Sequence, residues 1–232
     1  MTGKKWDRRT VLLAAGAAAT AAAAGISVTI LAARSETAGL LRPPGALAEK
    51  DFLASCIKCG QCIQVCPYHS LKLLDLSAGI DMGTPVVDAR ERGCYLCDLF
   101  PCILCCPSGA LDPETSKIEQ VRMGIAKVHE PQRCWARSNK PVPADWIEEI
   151  VSHGNETDLE REFNERLKKL VDKPCKLCED VCPVPARETA ISIKDGVPII
   201  GRGCVGCGAC EEICPEGIIE ICSRKSYEDL YS

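Results

Sequence analysis

Residues 56–67 read Cys56-Ile57-Lys58-Cys59-Gly60-Gln61-Cys62-Ile63-Gln64-Val65-Cys66-Pro67. The cysteines and the closing proline follow the C-x2-C-x2-C-x3-C-P spacing of a [4Fe–4S] binding run. In such a run the first three thiolates hold one cluster and the fourth reaches a neighbouring cluster. Zinc is disfavoured, because structural zinc sites use four ligands in paired knuckles rather than a run closed by Cys-Pro. One run therefore requires a second.

Three further runs follow in the chain. The last has the same spacing as the first, the second has a longer central gap, and the third is interrupted by an insertion after its first cysteine. Together the four runs supply these candidate ligands: Cys56, Cys59, Cys62 and Cys66; Cys94, Cys97, Cys102 and Cys106; Cys134, Cys175, Cys178 and Cys182; Cys204, Cys207, Cys210 and Cys214. Four runs of four ligands predict four [4Fe–4S] clusters.

The chain has 18 cysteines, so two are not needed as ligands. Cys105 and Cys106 are adjacent, and in every other run the fourth ligand directly precedes a proline. Cys106 is therefore the predicted ligand and Cys105 the spare. Cys222 lies alone after the last run, where a small buried residue is the expected interpretation.

The similarity of the runs suggests which of them pair. The first and fourth are regular, and the second and third are stretched, which predicts a nested arrangement. One cluster would be bound by Cys56, Cys59, Cys62 and Cys214, and its neighbour by Cys204, Cys207, Cys210 and Cys66. The other pair would use Cys94, Cys97 and Cys102 with Cys182, and Cys134, Cys175 and Cys178 with Cys106. The corresponding modules are residues 41–93 with 190–232, and residues 94–189.

Each run is followed by a turn and a short strand pattern, as in an internal repeat. Asp195-Gly196 between two such strands is a hairpin signal. The insertion, residues 141–172, contains helical patterns over 144–153 and 157–171, the second with an apolar face of Leu159, Phe163, Leu167 and Leu170. This hairpin is interpreted as a cover over a cluster or, alternatively, as a surface for docking a partner. The predicted fold class is α+β: two small, loop-rich double-cluster modules with an inserted helical hairpin and an N-terminal hydrophobic helix.

Residues 1–40 have the composition of a targeting segment, which is left out of the fold. A basic start containing Arg8-Arg9 precedes an uncharged, alanine-rich run from Thr10 to Ala33. The arginine pair is similar to a twin-arginine export signal, although Asp7 and Val11 depart from the usual pattern. The uncharged run is long enough to span a bilayer. Both a cleaved signal and a retained membrane anchor stay open.

Composition and charge narrow the function further. Aromatic residues make up only 4% of the chain, so clusters must replace much of an ordinary core, and their binding contributes directly to folding. The formal net charge of −4 argues against nucleic acid as a partner. The sequence contains no glycine-rich phosphate loop and no arguable Ser/His/Asp arrangement. We therefore expect an electron-transfer subunit rather than an enzyme.

Several stretches together resemble the NapG/MauM type of four-cluster ferredoxin. They are Leu41-Arg42-Pro43-Pro44-Gly45-Ala46-Leu47, the first run with Tyr68, Leu71-Lys72-Leu73, and Cys94-Tyr95-Leu96-Cys97. The resemblance implies two ferredoxin-like modules that carry electrons from a membrane quinol-oxidising ferredoxin-type protein (a quinol dehydrogenase) to a periplasmic reductase such as nitrate reductase, often through haem proteins. It also implies a periplasmic location after export in the folded state, with attachment to the cytoplasmic membrane if the N-terminal segment is retained.

Two alternatives remain at the level of the sequence. The chain could be the electron-transfer subunit of another exported molybdenum oxidoreductase, of the dimethyl sulfoxide or tetrathionate kind. It could instead be a cluster-bearing maturation factor for an exported metalloenzyme. An electron carrier predicts reversible reduction of the clusters by quinol or by the partner, whereas a maturation factor does not.

Overall fold

The computed structural model describes residues 39–154 and 156–231. The predicted targeting segment, residues 1–40, lies outside these residues except for Gly39 and Leu40, and its hydrophobic run from Thr10 to Ala33 lies outside them entirely. Within the described ranges, no helix combines the length and apolar character needed to cross a membrane.

The regular elements are short. The helices are α1 (Glu49–Ser55), α2 (Gln61–Gln64), α3 (Pro101–Leu104), α4 (Ala144–Ser152), α5 (Asp158–Lys168), α6 (Leu177–Asp180), α7 (Arg187–Ala190), α8 (Ala209–Glu212) and α9 (Tyr227–Tyr231). The strands pair antiparallel, β1 (Lys72–Leu73) with β2 (Pro85–Val86), β3 (Gly124–Val128) with β6 (Ile219–Ser223), and β4 (Ile191–Lys194) with β5 (Val197–Ile200). The prediction of a small, loop-rich α+β protein is confirmed.

The same local structure recurs in each cysteine run. The third cysteine of each run lies in a one-turn helix, α2, α3, α6 or α8. Because residues i and i+4 share a helix face, the C-x3-C spacing places the fourth cysteine beside the third. Helix α2 contacts α3, and α6 contacts α8. The first run thus packs against the second, and the third run packs against the fourth.

The strands lead the chain from one run to the next, as the sequence indicates. In the β4–β5 hairpin, Asp195 and Gly196 both have positive φ, 51° and 75°, which matches the turn favoured between two tightly twisted strands. The β3–β6 pair joins the approach to the third run with the exit from the fourth. Cys222 lies in β6 opposite Ile125, partly buried.

The insertion forms the predicted helical hairpin from α4 and α5. Thr157 caps α5: its hydroxyl accepts from the Glu160 N–H at 3.1 Å, and the Glu160 carboxylate accepts from the Thr157 N–H at 3.2 Å. Phe163 and Leu167 are buried as predicted. Leu159, however, is 41% exposed, whereas Glu160 is completely buried. The inner face is rotated toward Glu160, because this carboxylate binds His69 and Arg92 on the surface that the hairpin covers.

The hairpin packs on residues next to the first, second and fourth runs. The Thr157 hydroxyl donates to the carbonyl of Pro67 at 2.6 Å. The Phe163 ring lies 4.3 Å from the Tyr95 ring, centroid to centroid. The indole N–H of Trp146 in α4 donates to the carbonyl of Ile213 at 3.0 Å. This packing uses the apolar face of the hairpin within the molecule, which favours the interpretation as a cover.

Candidate cluster-binding sites

The predicted ligand cysteines gather in four groups within the described part of the chain. Three groups line apolar cavities, and we call them site 2 (Cys66, Cys94, Cys97, Cys102), site 3 (Cys134, Cys175, Cys178, Cys214) and site 4 (Cys182, Cys204, Cys207, Cys210). Site 1 consists of Cys56, Cys59, Cys62 and Cys106: after burial, the pKa of Cys62 is raised by the nearby thiols of Cys105, Cys56, Cys59 and Cys106. Each site takes three cysteines from one run and one from another, as a two-cluster module requires.

The structure groups the cysteines differently from the nested pairing predicted from the sequence. The structure brings Cys66 to the second run and Cys214 to the third, and it brings Cys106 to the first run and Cys182 to the fourth. The physical reason is that the one-turn helices of consecutive runs pack together, α2 on α3 and α6 on α8. A longer gap inside a run only lengthens a loop and does not select the partner run.

The module boundaries that rested on the nested pairing change with it. Sites 1 and 2 take their cysteines from residues 56–106, and sites 3 and 4 take theirs from residues 134–214; we call these two pairs of sites the N-terminal and the C-terminal module. The boundaries of the predicted modules, residues 41–93 with 190–232 and residues 94–189, would divide the cysteines of every one of the four sites. The helical hairpin belongs to the second module by sequence and also covers the first.

The geometry favours Cys106 over Cys105 as a ligand. Burial raises the pKa of the Cys106 thiol, but N–H groups of Leu111, Ser108 and Ala110 and the Ser108 hydroxyl hydrogen-bond to the sulfur and leave the pKa below its ordinary value. Such donors stabilise a thiolate, the form that binds iron. The thiol of Cys105 instead donates to the carbonyl of Cys102 at 3.4 Å. Cys105 also interacts with Cys62, so this spare cysteine borders site 1.

The remaining thiols fit iron–sulfur clusters by their chemistry. Burial raises the pKa of Cys62 and Cys102 to about 12, with neighbouring thiols as a further cause. Burial likewise raises the pKa of Cys94 and Cys210 well above the ordinary value. Thiolates packed this closely in a dry environment need bound cations, which a cluster supplies and which deprotonate coordinating thiols. No cluster of three or more His, Cys, Asp or Glu suited to a single metal ion occurs among residues 39–154 and 156–231.

Backbone N–H groups point at several of these sulfur atoms. The N–H of Ser70 donates to Cys66 Sγ at 3.4 Å, and the N–H of Ala126 donates to Cys204 Sγ at 3.5 Å. Burial raises the pKa of Cys214, and the N–H groups of Ile218, Glu216 and Gly217 oppose that rise. Hydrogen bonds to the sulfurs and solvent exposure are among the factors that set cluster potentials. Sites 2, 3 and 4 thus each contain a cysteine sulfur that accepts hydrogen bonds from backbone N–H groups.

The sites differ in their exposure to solvent. Cys59 of site 1 is exposed, whereas Cys207 and Cys210 of site 4 are buried. Beside the site 1 cysteines, Ile57 and Leu104 are 64% and 71% exposed. Site 1 therefore has an open, apolar edge, whereas sites 3 and 4 each contain two buried cysteines.

Sequence reasoning missed a group of buried charges between the modules. The Arg92 guanidinium forms an ion pair with Glu212 at 3.3 Å and lies 3.5 Å from Glu160. The Glu212 carboxylate also accepts from the Tyr95 hydroxyl and the Gly93 N–H, both at 2.7 Å. The burial of Glu212 could have been predicted from the sequence, because Glu212 lies inside the fourth cysteine run and residues close to a cluster are expected to be buried.

Two parts of the chain match known families of iron–sulfur domains. Residues 55–110 match the family described as "4Fe-4S dicluster domain", and residues 198–220 match "4Fe-4S binding domain". The first match spans the two runs that meet in sites 1 and 2. Together with the 18 cysteines, the matches fit four [4Fe–4S] clusters. The class of protein is therefore a ferredoxin-type iron–sulfur protein that transfers electrons.

Named relatives identify the family. The chain is 36% identical over 230 residues to "Methylamine utilization ferredoxin-type protein MauM" of Paracoccus denitrificans, covering 94% of this chain and 87% of the relative. It is 41% identical over 133 residues to "Ferredoxin-type protein NapG" of Escherichia coli, covering 57% of this chain and 56% of the relative. The chain belongs to this MauM and NapG family of ferredoxin-type proteins. No solved structure matches it.

Proposed function

We propose that the protein carries electrons through four [4Fe–4S] clusters from a membrane quinol-oxidising ferredoxin-type protein to a periplasmic reductase, such as nitrate reductase, or to a haem protein. The observation that carries the proposal is the gathering of sixteen cysteines into four sites that adjoin in two modules. When bound, each cluster supplies a centre that accepts and releases one electron. Quinol is proposed as the source because of the resemblance to NapG and MauM.

The chain's own residues would hold, insulate and tune these centres. The sixteen cysteines in sites 1 to 4 would be the ligands, and Cys105 and Cys222 would not. Apolar walls exclude water from sites 2, 3 and 4, while N–H donors such as Ser70 and Ala126 stabilise negative charge on the sulfurs. The exposed edge at Cys59 leaves site 1 open to a partner.

The proposed periplasmic location rests on the sequence of the N-terminal segment. Arg8-Arg9 would direct the protein, folded and loaded with clusters, to the periplasmic side of the membrane. Retention of the uncharged run that follows would leave it attached there, and cleavage would release it.

The test is reduction by quinol in native membranes that contain the full-length protein. Under anaerobic conditions, added quinol should reduce the clusters, and added acceptor reductase with its substrate should reoxidise them, as followed by EPR. Cys222→Ser should behave as the wild type, whereas Cys59→Ser should lose or alter the site 1 signal and slow the exchange. A protein that holds its clusters but is never reduced by quinol would contradict the proposal and favour a maturation factor.

A further inference from the structure

The loops that carry Cys94 of site 2 and Cys207 of site 4 touch each other. The N–H of Cys94 donates to the carbonyl of Cys207 at 2.7 Å. Cys94 also forms an isolated parallel bridge with Gly208. One direct backbone hydrogen bond therefore connects a ligand of the N-terminal module to a ligand of the C-terminal module.

This approach depends on a residue without a side chain at position 93. A Cβ added to Gly93 would lie 2.5 Å from the Ala209 nitrogen and 2.6 Å from the Gly208 carbonyl carbon. Both neighbours are backbone atoms, which cannot turn aside as a flexible side chain can. The two loops would have to separate to accept even a methyl group.

Buried polar contacts hold the two loops together. The Glu212 carboxylate, which follows Cys210 in α8, accepts from the Gly93 N–H at 2.7 Å and pairs with Arg92. Both charged side chains are almost completely buried, 3% and 6% exposed. The junction is thus fixed by directional bonds on both sides of Gly93.

The other inter-site contacts place the four sites in one series. Cys62 of site 1 lies in α2 and Cys102 of site 2 lies in α3, and these two helices contact each other. Cys210 of site 4 lies in α8 and Cys178 of site 3 lies in α6, and these helices are also in contact. Sites 2 and 4 meet through the hydrogen bond between Cys94 and Cys207. Every link in this series joins two sites that share either a module or the Gly93 junction.

We infer that the sites communicate in the order 1, 2, 4, 3, and that Gly93 is a positioning residue that brings sites 2 and 4 together. The inference rests on the proposed function and adds the path that electrons take between the modules. One electron moves from a reduced centre to an oxidised one at each link, so no bond forms or breaks and no further reactant is needed. Sites 1 and 3 are then the ends of the series, and sites 2 and 4 exchange electrons only inside the molecule.

The test compares Gly93→Ala and Gly93→Val with Gly39→Ala in the full-length protein loaded with clusters. Gly39 is a matched control, because a Cβ there would meet nothing within 4 Å. Flash reduction by a photogenerated flavin radical, followed by EPR on freeze-quenched samples, measures how fast electrons equilibrate between the modules. Iron analysis shows whether each variant keeps all four clusters.

Equilibration between the modules should slow in Gly93→Ala and slow further in Gly93→Val, with wild-type iron content and a wild-type rate in Gly39→Ala. Unchanged equilibration in both loaded Gly93 variants would overturn the inference. Failure of the proposed function looks different, because the wild type would then hold fewer than four clusters or would not be reduced reversibly.

A second pair of variants decides the matter if substitution at Gly93 prevents cluster loading. Cys94→Ser and Cys97→Ser each exchange one sulfur ligand of site 2 for oxygen, and residue 94 is the one whose N–H donates to Cys207 of the other module. Cys94→Ser should slow equilibration between the modules more than Cys97→Ser does. Equal slowing by the two variants would overturn the inference.

Discussion

Phe163→Ala should release the helical hairpin from the N-terminal module. The Phe163 ring is 4% exposed, lies 4.3 Å from the Tyr95 ring and 6.4 Å from the Tyr68 ring, and occupies the middle of the inner face of α5. Removal of a buried phenylalanine side chain lowers the free energy of unfolding by about 3–5 kcal/mol. The loss in the free energy of unfolding should not fall below that range, because each of the two aromatic pairs contributes about 0.5–1.5 kcal/mol beyond the burial of the ring.

The assay for this variant is the rate at which cluster absorbance disappears in guanidinium under anaerobic conditions. Loss of clusters makes unfolding irreversible, so the measurable stability is a rate. If the contacts of Phe163 are already broken in the transition state for unfolding, a loss of about 3 kcal/mol speeds unfolding by roughly a hundredfold, at about 1.4 kcal/mol for each factor of ten. Leu159→Ala is the matched control on the same helix, since Leu159 is 41% exposed and surface changes are usually worth less than about 0.5 kcal/mol. Equal rates for the two variants would refute the assignment of Phe163 as the anchor of the hairpin.

The remaining predictions concern the spare cysteines and the N-terminus. Cys105→Ser and Cys222→Ser should leave the iron content at its wild-type value, whereas Cys106→Ser should lose or alter the site 1 cluster, as measured by iron analysis and EPR. The reverse result at positions 105 and 106 would show that Cys105, which also borders Cys62, is the ligand. Replacement of Arg8 and Arg9 by lysine should leave loaded protein in the cytoplasm, as judged by fractionation, and undiminished export of that double variant would argue that the segment is a plain membrane anchor.

The cysteine runs and their turns could be predicted because the constraints are local. The x2 and x3 gaps set which sulfurs a one-turn helix can place on one face, and this geometry is the same in all four runs. The Asp195-Gly196 turn is equally local, because its two positive φ angles are set by the residues that occupy it. Such features need no knowledge of the rest of the chain.

The pairing of runs could not be obtained in this way. It depends on which one-turn helices pack together, and the residues that decide this are far apart in sequence. Gly93 and Ala209 illustrate the point. Residue 93 must lack a side chain because the backbone of Ala209 lies against it, and the sequence alone does not show that these two residues meet. Glu160 was overlooked for a related reason: charged residues on a helix are ordinarily exposed, and its burial follows from His69 and Arg92 on another part of the chain.

The energetics of the Arg92–Glu212 pair support a positioning role for the junction. A buried ion pair adds little net stability compared with apolar packing, because both charges must be removed from water. Its advantage is directional: the Glu212 carboxylate binds the Gly93 N–H, the Tyr95 hydroxyl and the Arg92 guanidinium at once. Apolar side chains in the same place would hold the modules together but would let one loop slide along the other. The charged contacts fix one register, the register in which Cys94 meets Cys207.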